Sequence, residues 1–288
     1  MVADSRGQRI VCKNGKQMTY HEFKMKAELR GISPVPESVF RKYREISLEN
    51  ELLEGLSFGE CRKSVSPDFV FSLVVSYVIA TGGKVRDTWI EAVGVRDVSL
   101  TGIDRIGNDA FYKCKTLRSV TIPSSVTSIG EYAFSDCSGL ENVTIPDSVK
   151  EIGESAFEGC SGLKSVTIPN SVTDIWWSAF AWCINLMSVT IGNSVTSIEY
   201  GTFSHCRSLT SVTIPDSVTN IEDGAFHGCI GLTSVTIPDS VNNIESWTFR
   251  GCDRLKEAVF KGKTKDEVMS MENYPWGLKD TSVFRYEP

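Results

Sequence analysis

Residues 119–140 read SVTIPSSVTSIGEYAFSDCSGL, and close copies of this segment recur along the chain with a period of 23 residues. A phenylalanine, a leucine and an isoleucine all follow this period. The period is also marked by seven cysteines: Cys114, Cys137, Cys160, Cys183, Cys206, Cys229 and Cys252. A fixed period in the twenties predicts a solenoid, in which near-identical units stack around one continuous core.

Each unit contains two extended pieces and a turn. The alternation of apolar and polar residues in SVTI predicts a short β-strand, and the proline that usually follows ends it, because proline cannot donate to a ladder. The spacing of Val126, Ile129, Phe134 and Cys137 predicts a second short extended piece followed by a turn of 3₁₀- or α-helix. Stacking then gives every strand a parallel neighbour about 4.8 Å away.

The cysteine column is interpreted as structural, because cysteine behaves as a small, easily buried apolar side chain. Zinc sites favour cysteine or histidine pairs two to four residues apart, and the chain has no CxxC or HxxxH pair. Seven stacked cysteines also cannot form an even set of disulfides. We therefore expect reduced thiols, no metal and no cofactor.

The SVTIPDSV…IG…AF…C…L pattern closely resembles the BspA-like (treponemal type) leucine-rich repeat family over residues 98–260. The resemblance implies an α/β solenoid, a right-handed leucine-rich-repeat stack with a parallel sheet on one face. It also implies a non-enzymatic bacterial or protist protein that binds other macromolecules, often host proteins. The segment after the repeats resembles the tail that closes many such proteins from gut bacteria and their phages.

The repeats divide the chain into three predicted parts. Residues 1–96 form a small, mainly helical N-terminal capping or effector domain, residues 97–260 form the solenoid of seven 23-residue units, and residues 261–288 form a C-terminal cap. In this last part, residues 264–271 are expected to form a short amphipathic helix, and Trp276 is expected to cover the last repeat. Caps are needed because an open terminal unit exposes both core and strand edge.

Charge is unevenly distributed between these parts. Residues 1–96 carry a net charge of +3, and residues 97–288 carry −9. Two N-terminal helices resemble a helix-turn-helix loosely, and their basic residues would contact phosphates or an acidic partner. These residues are Lys24, Lys26, Arg30, Arg41, Lys42 and Arg44. A solenoid cap with a solvated basic face is the favoured interpretation of this region.

The fourth unit departs most from its sisters. Three tryptophans stand where the other units carry mainly glycine, acidic or small polar residues, and an exposed apolar patch of this kind usually marks an interaction site. Aromatic residues of later units are expected to extend the patch, with Tyr200 stacked on Trp177 and His205 stacked on Trp182. The predicted partner-binding residues are Trp176, Trp177, Trp182, Tyr200, His205 and Trp247. Self-association through these residues, or simple packing among them, are the alternatives.

The predicted function is a binding scaffold for another macromolecule, most simply a protein. The chain has three histidines and no GxSxG, P-loop or HExxH motif, so enzyme chemistry is not expected. One alternative is a phage- or bacterium-encoded inhibitor that binds a nucleic-acid enzyme, or nucleic acid itself. Another is a surface adhesin or virion component.

The location is predicted from the ends and the cysteines. The N-terminal residues lack the apolar core of a secretory signal, and nine cysteines suit a reducing compartment. We therefore expect a cytoplasmic protein without a membrane span, and a cell surface or virion is the alternative. A homo-oligomer formed through the tryptophans also remains open.

Overall fold

The computed structural model describes residues 9–11, 17–19, 72, 75–76, 79–80, 82–87, 90 and 96–288. In the last of these ranges the chain winds into a parallel-sheet solenoid with little helix, which confirms the predicted stack of repeats. The seven units are counted here from strand to strand, so that unit 4 spans residues 165–187 and unit 5 spans residues 188–210.

Two parallel ladders run along the solenoid, one on each side of the core. The first ladder consists of β3 (Asp97–Ser99), β5 (Ser119–Thr121), β7 (Asn142–Thr144), β9 (Ser165–Thr167), β11 (Ser188–Thr190), β13 (Ser211–Thr213), β15 (Ser234–Ile237), β17 (Glu257–Lys261) and β18 (Phe284–Glu287). The second consists of β4 (Arg105–Ile106), β6 (Ser128–Ile129), β8 (Glu151–Ile152), β10 (Asp174–Ile175), β12 (Ser197–Ile198), β14 (Asn220–Ile221) and β16 (Asn243–Ile244). A separate antiparallel pair joins β1 (Arg9–Val11) to β2 (Gln17–Thr19).

The register of the ladders follows the sequence period. Val120 pairs with Val143 in the first ladder and Ile106 pairs with Ile129 in the second, so each residue lies beside its equivalent 23 positions away. The first unit is one residue short, because Asp97 pairs with Ser119, 22 positions on.

The turn after the second strand is not a continuous helix. Alternate N–H groups close tight i→i+3 turns, as when Cys114 donates to the Phe111 carbonyl at 2.9 Å. The N–H groups between them reach the next unit, as when Phe111 donates to the Ala133 carbonyl at 2.7 Å. The predicted 3₁₀ or α turn is therefore interrupted at every second residue by a bond between units.

The core consists of stacked columns of identical residues. The seven phenylalanines are fully or almost fully buried, and consecutive rings lie with their centroids 5.0 Å apart at Phe111–Phe134 and 5.8 Å apart at Phe226–Phe249. Burying each phenylalanine contributes about 1.5–3 kcal/mol relative to leaving it exposed. The repeated sequence thus supplies the same favourable contact at every step of the stack.

The seven repeat cysteines are free and buried. From the second unit onward each thiol donates to the carbonyl of the phenylalanine in the preceding unit, for example from Cys137 to Phe111 at 3.0 Å. Removal from solvent raises the pKa of the Cys183 thiol to about 12. The column is therefore structural, and its thiols are protonated at neutral pH.

Described residues of the N-terminal part cover the first unit. Val75, Ile79 and Ile90 are buried, and the Asp87 carboxylate accepts from the backbone N–H of Thr116 at 2.8 Å. The proposed basic contacts Lys24, Lys26, Arg30, Arg41, Lys42 and Arg44 lie outside the described residues. None of the helices among the described residues has the length and apolar character that a bilayer crossing requires.

The C-terminal end covers the last unit. A helix spans Lys265–Ser270, as predicted, and begins with a capping box in which Thr264 and Glu267 bond reciprocally. Trp276 is fully buried, and its ring lies 5.6 Å from that of Phe260. Strand β18, which the sequence analysis did not predict, pairs in parallel with β17.

Both ladders are interrupted near the middle of the stack. The first ladder breaks between β7 and β9 and again between β11 and β13, and the second breaks between β10 and β12. Trp176 N–H donates to the Ile152 carbonyl at 2.9 Å, but within residues 96–288 the equivalent N–H of Glu199 has no bond to Ile175. The second-ladder strands of units 4 and 5 are therefore not hydrogen-bonded to each other.

The corner before this break requires a glycine. Gly192 replaces the proline of sister units, and a Cβ at this position would lie 2.4 Å from the Pro169 carbonyl oxygen. Gly192→Ala is therefore expected to destabilise the protein by about 1–3 kcal/mol in urea unfolding, since the backbone would have to move. Gly107→Ala is the matched control, because a Cβ there meets nothing within 4 Å. Equal stabilities of the two variants would contradict this account.

The buried thiols predict a pattern of chemical reactivity. In the folded protein at pH 8, iodoacetamide should leave all seven repeat cysteines unmodified, because the reactive thiolate is disfavoured and the reagent is excluded. All seven should react once the protein is unfolded in guanidinium, as peptide mass spectrometry would show. Rapid modification of Cys160 or Cys206 in the folded state would contradict the structural role.

Candidate functional site

From β5 to β15, the outward face of the first ladder carries no charged residue. The threonines of its strands, such as Thr144 and Thr167, are exposed, and the neighbouring outward positions carry serine or asparagine from β5 to β15. Binding energy at protein interfaces is concentrated in tryptophan, tyrosine and arginine. Strands β5 to β15 present none of those residues outward, so this part of the first ladder has no such anchor for a partner.

Trp176 lies on the outward face of the second ladder. Its side chain is 46% exposed, and its indole Nε1–H donates to Glu151 Oε1 at 2.7 Å, one unit back. The equivalent position of the preceding unit is Gly153, which has no side chain to obstruct an indole extending in that direction. The tryptophan is therefore held by a carboxylate while much of its ring remains in solvent.

Trp177 and Tyr200 occupy equivalent positions of units 4 and 5. They are 53% and 54% exposed. The predicted stacking of Tyr200 on Trp177 is not observed, because among the described residues neither ring contacts another aromatic ring. The interruption between β10 and β12 lies at this same step of the stack.

Carboxylates lie along the same ladder as these three aromatic side chains. They occupy the outward positions of the second ladder and the residues just after it, and sequence analysis did not single them out. Together with the aromatics they define the acidic–aromatic face: Glu151, Glu154, Asp174, Trp176, Trp177, Glu199, Tyr200, Glu222, Asp223 and Glu245. The ion pairs among residues 96–288 involve none of these carboxylates.

The electrostatics of the acidic–aromatic face show repulsion between like charges. Burial raises the pKa of the Glu222 carboxyl, and the neighbouring charges of Glu199 and Glu245 raise it further. In addition, Asp223 Oδ1 is buried and has no hydrogen-bond partner among the residues that the structure describes. The face therefore carries negative charge that the described part of the chain does not neutralise.

Trp182 belongs to a second group of side chains, the histidine–tryptophan cluster of Trp182, His205, His227 and Arg207. The Trp182 and His205 rings lie 3.9 Å apart, as the sequence predicts, and His227 lies 5.0 Å from His205. The Arg207 guanidinium lies 5.7 Å from the Trp182 ring. Burial, His227 and Arg207 lower the pKa of His205. No ring contact among the described residues joins this cluster to Trp176 or Trp177.

Trp182, His205 and Trp247 have left-handed backbone conformations, with φ of 60°, 58° and 57°. Glycine occupies the equivalent positions of several sister units, among them Gly159 and Gly224. The left-handed region costs an L-residue about 1–2 kcal/mol.

Trp247 is 54% exposed and is contacted by Arg250, 5.0 Å from its ring. The six predicted binding residues are thus divided among three separate settings.

Metal binding has no support in the described residues. No group of three or more His, Cys, Asp or Glu side chains there is placed to hold an ion. The His205–His227 pair has no third ligand within the same part of the chain.

The exposure of Trp182 predicts a small effect of its removal. Trp182→Gly should relieve about 1–2 kcal/mol of backbone strain and lose a ring contact of about 0.5–1.5 kcal/mol and a cation–π contact of about 0.5–1 kcal/mol. Its free energy of unfolding should therefore lie within about 1 kcal/mol of the wild type. The buried Trp276→Ala serves as contrast and should lose about 3–5 kcal/mol in the same urea titration. A loss above 2 kcal/mol for Trp182→Gly would mean that this tryptophan is part of the core.

Comparison with known proteins supports the repeat assignment. The model of the BspA type leucine rich repeat region matches residues 95–206 and 174–273, in 6 copies. The leucine rich repeat protein of T. pallidum is 33% identical with a TM-score of 0.50, over 54% of this chain and 72% of that one. No curated protein matches the chain.

Other solved structures are similar over part of their length. A leucine rich cell surface protein from Faecalibacterium prausnitzii is 25% identical with a TM-score of 0.46, over 62% of this chain and 63% of that one. A leucine-rich repeat protein from Bacteroides ovatus is 27% identical with a TM-score of 0.36, over 57% and 63%. The match thus spans less than two thirds of either protein. The matched repeats and the parallel solenoid together show that this chain belongs to the BspA-type leucine-rich repeat family.

Proposed function

We propose that this chain is a non-enzymatic scaffold that binds another protein through the acidic–aromatic face. The observation that carries the proposal is the group Trp176, Trp177 and Tyr200, three large aromatic side chains that are each about half exposed. Ordinary soluble surfaces show scattered apolar residues, whereas clustered aromatics mark interaction sites. Repeat solenoids of this family commonly serve as protein-binding or surface scaffolds, which agrees with this role.

The position of these aromatics in the repeat supports a binding role over a packing role. The core positions of units 4 and 5 already contain the phenylalanine, cysteine and leucine found in every unit, and they are fully buried. Trp176, Trp177 and Tyr200 lie outside those positions, so they add nothing to the core that sister units lack. A partner that covers them would remove apolar surface from water and contribute about 25 cal/mol per Å² before the costs of association.

Two other groups of predicted residues are less suited to this role. The histidine–tryptophan cluster is already partly covered by its own members, since the Trp182 ring contacts His205 and Arg207. Trp247 is contacted by Arg250 in the same way. The acidic–aromatic face is therefore the better anchor for a partner.

The experiment compares binding by two variants of the full chain. A partner captured from the native host by the wild type should bind at least about tenfold more weakly to Trp176→Gly/Trp177→Ser/Tyr200→Ser, because the central aromatic anchors of an interface often contribute 2 kcal/mol or more each. The binding constants would be measured by calorimetry, with circular dichroism to confirm that the fold is retained.

The matched control is Met187→Thr. Met187 is also a 50% exposed apolar side chain of unit 4, and sister units carry Thr210 and Thr233 at its position. It lies next to the first ladder rather than on the acidic–aromatic face, so its removal should leave affinity unchanged. Unchanged binding by the triple variant, or equal loss in the control, would rule out this face as the binding site.

A further inference from the structure

We infer that the segment bound at the acidic–aromatic face is cationic: a lysine- or arginine-bearing stretch of a partner protein whose charged side chains lie over the exposed rings and between the carboxylates of successive units. This inference rests on the proposed function and adds the chemistry of the partner. Three observations support it: the cations that lie over the other exposed aromatic rings of the chain, the carboxylate row, and the absence of a lysine or arginine from this face among the described residues.

The chain supplies its own cation to the exposed aromatic rings elsewhere. Arg207 lies over Trp182 at 5.7 Å, Arg250 lies over Trp247 at 5.0 Å, and the Lys113 ammonium lies 4.7 Å from the Tyr112 ring. A cation above an aromatic face is attracted by the negative potential of the ring. Each of these rings is therefore already paired within the molecule.

The rings of the acidic–aromatic face have no such partner. Among the described residues, no lysine or arginine lies over Trp176, Trp177 or Tyr200. Within the described residues, the one polar contact of these side chains is the bond from the Trp176 indole to Glu151, which places a negative group at the ring edge. Three exposed ring faces thus remain available to a cation from outside the described chain.

The carboxylates form a row at the spacing of the strands. Glu199, Glu222 and Glu245 follow one another at equivalent positions, and like charges on directly neighbouring strands are destabilising. Asn243 and Asn273 donate to the two oxygens of Glu245 at 2.9 and 3.0 Å. Among the described residues, the carboxylates of Glu199 and Glu222 accept no hydrogen bond and form no ion pair. A bound cation would relieve the repulsion between them.

Basic residues are scarce around this face. In units 2 to 7, three positions per unit form this side of the solenoid: the first residue of the second-ladder strand and the first and second residues after that strand. These positions carry acidic, aromatic, glycine or small polar side chains, and no lysine or arginine. Apart from Lys150, which directly precedes Glu151, a cationic segment would therefore meet attraction along this row. An anionic segment, such as nucleic acid, would meet repulsion there.

The test uses fluorescein-labelled octalysine as the probe, with octaglutamate and an uncharged Gly-Ser octapeptide as comparisons, on the full chain at low salt. Octalysine should bind, should quench tryptophan fluorescence, and should lose affinity as salt rises, because exposed charges are screened. Glu199→Gln/Glu222→Gln should weaken it about fivefold to tenfold, since each exposed ion pair is worth up to about 1 kcal/mol. Trp177→Ser should weaken it about twofold to fivefold.

The control distinguishes binding at the acidic–aromatic face from attraction by the net negative charge of the protein. Asp147→Asn/Asp216→Asn removes two exposed charges from the corner after the first strand, where sister units already carry Asn170 and Asn193. Its affinity for octalysine should remain within twofold of the wild type. If both double variants weaken binding equally, octalysine is attracted by net charge alone and the proposal fails.

The outcomes also separate this inference from the proposed function. If the aromatic triple variant loses the captured partner while octalysine shows no binding to the wild type, the face binds a protein that is not cationic, and only the inference fails. If Glu199→Gln/Glu222→Gln loses octalysine but the triple variant keeps the partner, the cation site stands and the proposed function fails. If sedimentation shows a wild-type dimer that Glu199→Gln/Glu222→Gln dissociates, the cationic segment belongs to a second copy of this chain and the proposal of a foreign partner fails.

Discussion

Neighbouring units are held at a fixed hydrogen-bonded spacing, and this spacing decides what each core position can contain. Each strand must lie about 4.8 Å from its neighbour, so a side chain at a core position meets the same residue type above and below it. The phenylalanine column shows the result, with ring centroids 5.0–5.8 Å apart along the whole stack. Core positions therefore repeat closely, although Thr202 and Thr248 replace the usual buried alanine, and most of the variation lies at positions that face water.

The same spacing explains why the turns contain left-handed residues. Alternate N–H groups of each turn must point to the next unit, and two positions per unit adopt positive φ to allow this. Glycine suits them best, as at Gly228 and Gly251, because it has no Cβ. Trp182 and His205 stand at the same position with φ of 60° and 58°. The contact between their rings offsets part of that backbone strain, so this aromatic pair has a role within the fold. The acidic–aromatic face has no such role.

The 23-residue period was sufficient to predict the solenoid and the buried cysteines, because each depends on which residues share a column. The Trp182–His205 contact follows for the same reason. The helix at Lys265–Ser270 lies beyond the repeats and was predicted from its own amphipathic pattern. The sequence could not place Trp177 relative to Tyr200, since the direction of a side chain and the break between β10 and β12 are not properties of the period. The carboxylate row can be read from the sequence by writing the units one below another. Its interpretation as part of a binding face depended on knowing that the aromatic rings of the same face are exposed.

The irregular step between units 4 and 5 connects the fold to the proposed site. Gly192 lets the backbone pass close to Pro169 at one corner, and the second ladder opens after it. In a regular ladder, two large rings at equivalent positions would stack on each other and hide one face each, as the core phenylalanines do. At this step β10 and β12 are not paired, Trp177 and Tyr200 do not stack, and more than half of each side chain remains exposed. Because neither ring covers the other, both leave aromatic surface available to a partner.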